Sequence, residues 1–304
     1  VALLLPVLLL LGAAVGLFWA TTLWDRIEKV PVTDVLSPAS PTGTNYLIVG
    51  TDTRDPQRLI EAGLNPAAFQ DGGGERSDTM VVLRFVDGQA RMLSIPRDLY
   101  VTIAETGASQ KINAAFGGGP RRLILTIRGE LDLPIHHYLE IDFVSFASMV
   151  EALGGVTVDF EHPAFDPMSG LQVDAAGPQR LDGPQALAYV RSRQFTEVID
   201  GRKRVDPTAD LGRIERQQAF LAALFSELGS ARNPLALARV ADGASAGLRV
   251  DDRMGLLDAA RLGWRLRSLE AERHQLPVRV GNNRSGSVVF LEQEPAQLVL
   301  SLFR

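Results

Sequence analysis

Arg191 and Arg193 stand two residues apart, directly after a short run of helical periodicity at Gln185–Val190. If the chain is extended across them, side chains at i and i+2 project to one side, aiming two planar guanidinium forks at one target. Further on, Asp210, Arg213 and Gln217 are spaced three and four apart at the start of a second helical stretch, so they share a face, with Arg216 beside them. Four arginines converging from two elements repel one another unless an anion lies between them. A phosphate or pyrophosphate fits, because a guanidinium binds its oxygens bidentately. A solvated arginine-rich surface is the ordinary alternative, and this stretch alone leaves both open.

The elements that must carry such residues follow from periodicity and turn residues. Asn45–Gly50 reads as an apolar strand followed by Thr51-Asp52, and residues 55–75 as a loop or short helix closed by three glycines. Arg76-Ser77-Asp78-Thr79 feeds a strand Met80–Val86, and a turn at Asp87-Gly88 leads to a strand Ala90–Ile95 that ends in Pro96-Arg97-Asp98. Strand ends carrying Asp and Arg can converge at one edge of a sheet. A helix is predicted at 121–130, a strand at Tyr138–Ile141, and a helix at Phe143–Leu153 capped by Asp142 and ended by Gly154-Gly155. A strand Val156–Phe160, helices at 182–190, 211–228 and 254–272, and closing strands at 278–280 and 287–291 complete the pattern. In the helix 211–228, Leu211, Ile214, Leu221, Leu224, Phe225 and Leu228 form the core side. This alternation predicts a single α/β domain over residues 45–304, with a central sheet flanked by helices.

Residues 1–24 carry no charge and have the length of a membrane span, with Trp19 and Trp24 suited to the interface. A secretory signal has a shorter apolar core, so the expectation is an uncleaved single-pass anchor, with 25–44 as a Pro/Ser/Thr-rich linker. A net charge of −5 over 304 residues argues against general nucleic-acid binding. The lack of cysteine excludes disulfides, a thiol nucleophile and cysteine-ligated metal. The histidines, at 136, 137, 162 and 274, have no zinc-site spacing, and no G-x-S-x-G nucleophile elbow occurs.

GTDTR at 50–54, RSDTM at 76–80, SIPRD at 94–98, KINAAF at 111–116, IDF at 141–143, LGGV at 153–156, LDGPQALAYVRSR at 181–193 and DLGRIERQQ at 210–218 resemble, in order, the motifs of the LytR-CpsA-Psr family. The resemblance covers about residues 45–230. It implies a membrane-anchored bacterial enzyme with an extracytoplasmic domain built on a mixed β-sheet. Such enzymes move a glycopolymer from a polyprenyl-pyrophosphate carrier to the muramic acid 6-hydroxyl of peptidoglycan. By resemblance, Arg76, Arg97, Arg191, Arg193, Arg213 and Gln217 contact the pyrophosphate and Asp52 and Asp78 hold a magnesium ion. Asp210 is the candidate to activate the acceptor hydroxyl, with Arg97 and Arg193 supporting catalysis.

The chemistry agrees with these residue types. Phosphoryl transfer depends on positioning and charge stabilisation, and arginines neutralise a pyrophosphate without risk of deprotonation. Magnesium takes oxygen ligands, often one or two carboxylates completed by substrate phosphates. Each of Asp52 and Asp78 can equally be a turn or cap residue, and Asp210 a plain helix N-cap. Asp98 and Asp182 read as structural, while Lys111 and Asn113 could support the site from behind. Residues 55–75 and 194–209 are longer than the flanking motifs require, as flaps or as neutral surface loops. Two other activities fit the same residues: a pyrophosphatase using water as acceptor, and a non-catalytic lipid- or glycan-binding regulator. The Ala/Arg/Gly-heavy composition suggests arabinogalactan as the polymer, although teichoic acid and capsule carriers share the same lipid end.

Overall fold

The computed structural model describes residues 18–52, 56–61, 64, 77–207, 210–230, 234–266, 271–283 and 286–304, with the backbone alone at 56, 61, 77, 78, 210, 211, 234 and 235. Most of the expected anchor lies outside these residues. Residues 18–26 are helical (α1), and no helix among the described residues is long and apolar enough to cross a membrane.

The framework is a mixed seven-stranded sheet. Its strands are β1 (Glu28–Val30), β2 (Thr44–Thr51), β3 (Ser77–Val86), β4 (Gln89–Ser94), β7 (His137–Asp142), β14 (Leu248–Asp251) and β15 (Ala271–Gln275), in the order β1-β14-β7-β2-β3-β4-β15. The positive φ of Asp87 and Gly88 supplies the two-residue turn that joins β3 to β4 with matched twist. Between β4 and β7 lie the short pair β5 (Tyr100–Thr102) and β6 (Ser109–Lys111), then α3 (Asn113–Phe116) and α4 (Pro120–Leu131). Alternate residues of the sheet serve opposite faces. Leu47, Val49, Met80, Val82 and Leu93 pack with Leu123, Ile124 and Ile127 of α4 and with Leu300 and Phe303 near the chain end. On the other face, Tyr46, Val81, Leu83, Phe85 and Met92 pack with Phe225 of α7 (Asp210–Ser230) and Leu262 of α9 (Leu256–Leu266).

A third cluster lies beyond the sheet edge. There α5 (Phe143–Ala152), α6 (Gly183–Arg191) and α7 pack with β8 (Val156–Phe160), β9 (Ala164–Asp166), β10 (Leu171–Val173) and β11 (Gly177–Leu181). Phe220 and Leu224 face this cluster, and Leu221 and Leu228 reach both it and the sheet. Phe220 is fully buried, although the 3.6-residue pattern leaves it off the core side.

Local chemistry fixes these helices. Asp142 Oδ1 accepts from Ser145 N at 2.7 Å, and Asp182 Oδ1 from Gln185 N at 2.9 Å, so both are N-caps. Gly155, at φ 100°, ends α5 where a Cβ would stand 2.8 Å from Leu181 O. At Gly183 a Cβ would collide with Ala147 O, so only glycine lets α6 start against α5.

Several expectations change. Residues expected as a linker are partly built into the domain: β1 pairs in parallel with β14, and Val30, Val32, Val35 and Leu36 are buried. Three residues carry too little local pattern to distinguish such a strand from a tether, and its partner lies far away in the chain. The stretch 194–209 is not a loose loop, because β12 (Thr196–Ile199) and β13 (Arg202–Val205) form a hairpin that extends β9 and β10 into a four-stranded sheet. The helix expected at 254–272 ends at Leu266 in the described chain, and Ala271 and Glu272 belong to β15, parallel to β4. Of residues 55–75, α2 (Pro56–Glu61) and Leu64 are described, and the rest lies outside. The helices α8 (Pro234–Ser245) and α10 (Gln293–Ser301), and the pairing of β16 (Val278–Asn283) with β17 (Gly286–Leu291), complete the fold.

Candidate active site

Strand directions bring the charged motifs to one edge. The parallel strands β2, β7, β4 and β15 end there, and the antiparallel β3 and β14 begin there. Asp52 follows β2 directly. Across the β2–β3 ladder Gly50 pairs with Thr79 but Thr51 pairs with Ser77, so Asp78 is the extra residue of a β-bulge. Bulges re-aim a side chain out of the regular pleat. Asp52 and Asp78 are therefore near neighbours on adjacent strands, the first condition for sharing an ion. Hard carboxylate oxygens with room for phosphate oxygens suit magnesium. Among the described residues, which leave out the Asp78 side chain, no three metal-ligating side chains cluster.

Arg97 leaves the same edge just after β4. Its turn is fixed by Leu99 N donating to Pro96 O (3.0 Å), Ile112 N to Leu99 O (2.7 Å) and Asn113 N to Arg97 O (3.2 Å). Asp98 draws Lys111 Nζ to 2.7 Å and Arg97 Nε to 3.6 Å, so Asp98 and Lys111 act together behind the arginine. Asn113 contributes its backbone.

The second group comes from α6 and α7. Arg191 is the last residue of α6, not part of an extended strand, and Ser192 turns the chain out with ψ 124°. The i, i+2 geometry thus fails at Arg191, because the apolar period of α6 continues one residue past Val190. The Arg191 guanidinium lies 5.3 Å from the Phe143 ring, a cation–π contact that restricts it. Arg193 is exposed.

A helix C-terminus carries partial negative charge, which would oppose a phosphate. Here the last carbonyls of α6 are covered: Gln217 Nε2 donates to Val190 O at 3.0 Å and Arg216 Nη2 to Ser192 O at 3.0 Å. Arg216 is further held by Asp206 Oδ2 at 2.6 Å and lies over the Phe195 ring at 4.6 Å. Arg216 therefore ties α6, α7 and the hairpin together, and is not one of a convergent four. Gln218 Nε2 reaches Ser94 Oγ (2.9 Å) and His274 O (2.8 Å), which docks the same turn of α7 onto the ends of β4 and β15. Arg213, on the preceding turn of the same helix, is buried to 3% exposure. Asp210 opens α7, where backbone N–H groups and the helix dipole favour an anion. Arg76 lies outside the described residues, as do the side-chain positions of Asp78 and Asp210.

Three residues escaped sequence reasoning. Asp142, beyond its capping role, pairs through Oδ2 with Arg58 Nη1 at 2.8 Å, which brings α2 to the same edge. Asp166, at the end of β9, is fully buried and receives hydrogen bonds from the segment that follows α6. Its burial would push its carboxyl up, but bonds from Ser192, Gln194, Met168 and Ser169 more than offset this and hold it below the usual range. Gln218 carried no signal beside Gln217.

The LytR_cpsA_psr family model matches residues 23–300. The chain belongs to the LytR-CpsA-Psr family. Among relatives of this LytR-CpsA-Psr chain, the probable cell wall biosynthesis protein LcpB of Corynebacterium glutamicum is 38% identical over 216 residues, covering 68% of this chain and 47% of LcpB. The polyisoprenyl-teichoic acid–peptidoglycan teichoic acid transferase TagV of Bacillus subtilis is 31% identical over 211 residues, covering 66% of this chain and 51% of TagV. The chain thus spans about half the length of these relatives. Among solved structures, a LytR-Csp2A-Psr enzyme from Actinomyces oris superposes with a TM-score of 0.72 at 26% identity, covering 91% of this chain and 96% of that one.

Proposed function

We propose that this chain is a phosphotransferase that moves a glycopolymer from a polyprenyl-pyrophosphate carrier to the muramic acid 6-hydroxyl of peptidoglycan. The observation that supports this is the interlock of α6 and α7, the elements that carry Arg191, Arg193 and Arg213, and the docking of α7 through Gln218 onto Ser94 at the end of β4, the strand that leads into Arg97. TagV, a relative at 31% identity, bears the name of a transferase with a polyisoprenyl-linked donor and a peptidoglycan acceptor, and supports the same reaction class.

In the proposed reaction the acceptor hydroxyl oxygen attacks the sugar-bearing phosphorus. The bond from that phosphorus to the bridging oxygen breaks, and polyprenyl monophosphate leaves with the electron pair. The hydroxyl proton passes to the Asp210 carboxylate. Arg97, Arg191, Arg193 and Arg213, with Arg76, hold the pyrophosphate oxygens and stabilise the charge that gathers on the leaving phosphate. Gln217 screens the α6 carbonyl from that charge. Asp52 and Asp78 would hold a magnesium ion, which when bound neutralises phosphate charge. The apolar residues 1–24 would anchor the enzyme beside its lipid donor on the outer face of the membrane and raise its effective concentration.

The test uses the purified protein, magnesium and a labelled polyprenyl-pyrophosphate oligosaccharide, with and without peptidoglycan. Label entering peptidoglycan, and lost with Arg193→Ala, is the expected result. Sugar phosphate released regardless of acceptor would replace transfer by hydrolysis, and binding without turnover would replace it by a regulatory role.

A further inference from the structure

Asp166 has two oxygens with different tasks. Oδ1 accepts from Met168 N at 2.8 Å and Ser169 N at 3.3 Å, a local turn of the kind any Asp before a tight bend makes. Oδ2 reaches 26 to 28 residues ahead and accepts from Ser192 Oγ at 2.7 Å, Arg193 N at 2.9 Å and Gln194 N at 2.9 Å. A turn needs only the first oxygen. A fully buried carboxylate also carries a desolvation cost, which a neutral residue would avoid. The three long-range bonds are what set this residue apart from a simple loop cap.

Those bonds fall on the one irregular part of the arginine segment. Arg191 is held by the helix it ends and Ser192 N still donates to Tyr189 O at 3.2 Å, but Arg193 and Gln194 lie between α6 and β12, in neither element. The path of Ser192–Gln194 is set by Asp166 on one side and by Arg216 on the Ser192 carbonyl on the other. A guanidinium can grip a phosphate with two parallel bonds only if its backbone is placed to a fraction of an ångström. We infer that Asp166 is the positioning residue of Arg193, fixing through main-chain bonds where Arg193 meets the pyrophosphate. Its bond is to the Arg193 amide, so it orders the main chain that carries this side chain. It also places a negative charge behind Arg191 and Arg193, which lessens their mutual repulsion before substrate arrives. This rests on the pyrophosphate reading of the site.

The experiment measures calorimetric binding of geranyl pyrophosphate to the full chain, together with amide hydrogen exchange across 192–195, both well below the melting temperature. Asp166→Asn keeps the size and one acceptor oxygen for the turn. It is expected to weaken binding at least tenfold and to speed exchange at Arg193 and Gln194. Ser192→Ala removes one of the three bonds and is expected to weaken binding two- to fivefold. If Asp166→Asn binds as wild type while Arg193→Ala loses tenfold or more, the positioning role is overturned and the site stands. The role is likewise overturned if Asp166→Asn lowers only the melting temperature. Should Asp166→Asn not fold, wild-type binding and exchange in Ser192→Ala overturn the role. No binding by the wild type, with Arg193→Ala indistinguishable from it, overturns the pyrophosphate reading and this inference together.

Discussion

Arg193 and Arg191 differ in how they are held, and that predicts how their loss is felt. Arg191 leans on the Phe143 ring, while Arg193 stands on a segment tied by its amides. Replacing either by alanine removes charge-assisted bonds of about 1.5–3 kcal/mol, roughly a 10- to 150-fold loss in lipid turnover at low substrate. Thermal unfolding should change little, since Arg193 is exposed and Arg191 only half-buried. Turnover equal to wild type in both variants would remove them from the site. Asp78 is tested differently: Asp78→Asn preserves the bulge and should blunt the gain in activity on adding magnesium. An unaltered magnesium titration would leave Asp78 as a structural residue of the bulge. At this scale the sequence was informative about residue types and much less so about partners. Arg216 and Gln217 look like members of one phosphate-facing group, yet Arg216 is engaged by Asp206 and Ser192 O, and the Gln217 amide donates to Val190 O. Helical spacing says which residues share a face, and cannot say what stands opposite.

At the scale of elements, the caps and periodic helices were legible because their signals are local. Asp142 and Asp182 are N-caps as their positions suggest, and α4, α5, α6 and α7 lie within a residue or two of expectation. The short strands β1, β9, β12 and β13 were not, since three or four residues carry too little alternation to mark a strand, and β1 and β9 also take partners far away in the chain. The start of α6 carries a sharper prediction. Because a Cβ at Gly183 would press on the Ala147 carbonyl, Gly183→Ala must push α6 away from α5. The overpacking costs about 1–3 kcal/mol, and the melting temperature should fall by several degrees. Displacement of α6 also shifts Arg191 at its far end, so pyrophosphate affinity should fall along with stability. A variant as stable as wild type would mean that the α5–α6 contact can open without cost.

For the whole molecule, the far end of the sheet sets a pH limit of its own. His136 Nδ1 accepts from Asn45 N at 2.9 Å in a buried position. Burial, followed by the charges of His137, Arg84, Arg253 and Arg128, lowers its pKa from 6.5 to about 4. The unfolded chain binds this proton near pH 6.5 and the folded chain only near 4. Stability is therefore complete above the unfolded value and falls as pH drops towards the folded one, by on the order of 3 kcal/mol. His136→Asn keeps an acceptor for Asn45 N and should flatten that slope in urea midpoints measured from about pH 7 to 4. An unchanged slope would assign the acid sensitivity to other groups.

The hold on the segment after α6 has a further outcome for variation. Asp166 grips Gln194 by its main-chain N–H, while the Gln194 side chain is exposed. A grip on the peptide is indifferent to the side chain that follows, with one exception: proline, which has no N–H to give. Position 194 should therefore accept almost any residue in a saturation library selected for transfer activity, with proline missing from the survivors. Natural relatives would be free to diversify there, next to the reaction centre, and to alter what the outgoing polymer meets without disturbing the arginine beside it.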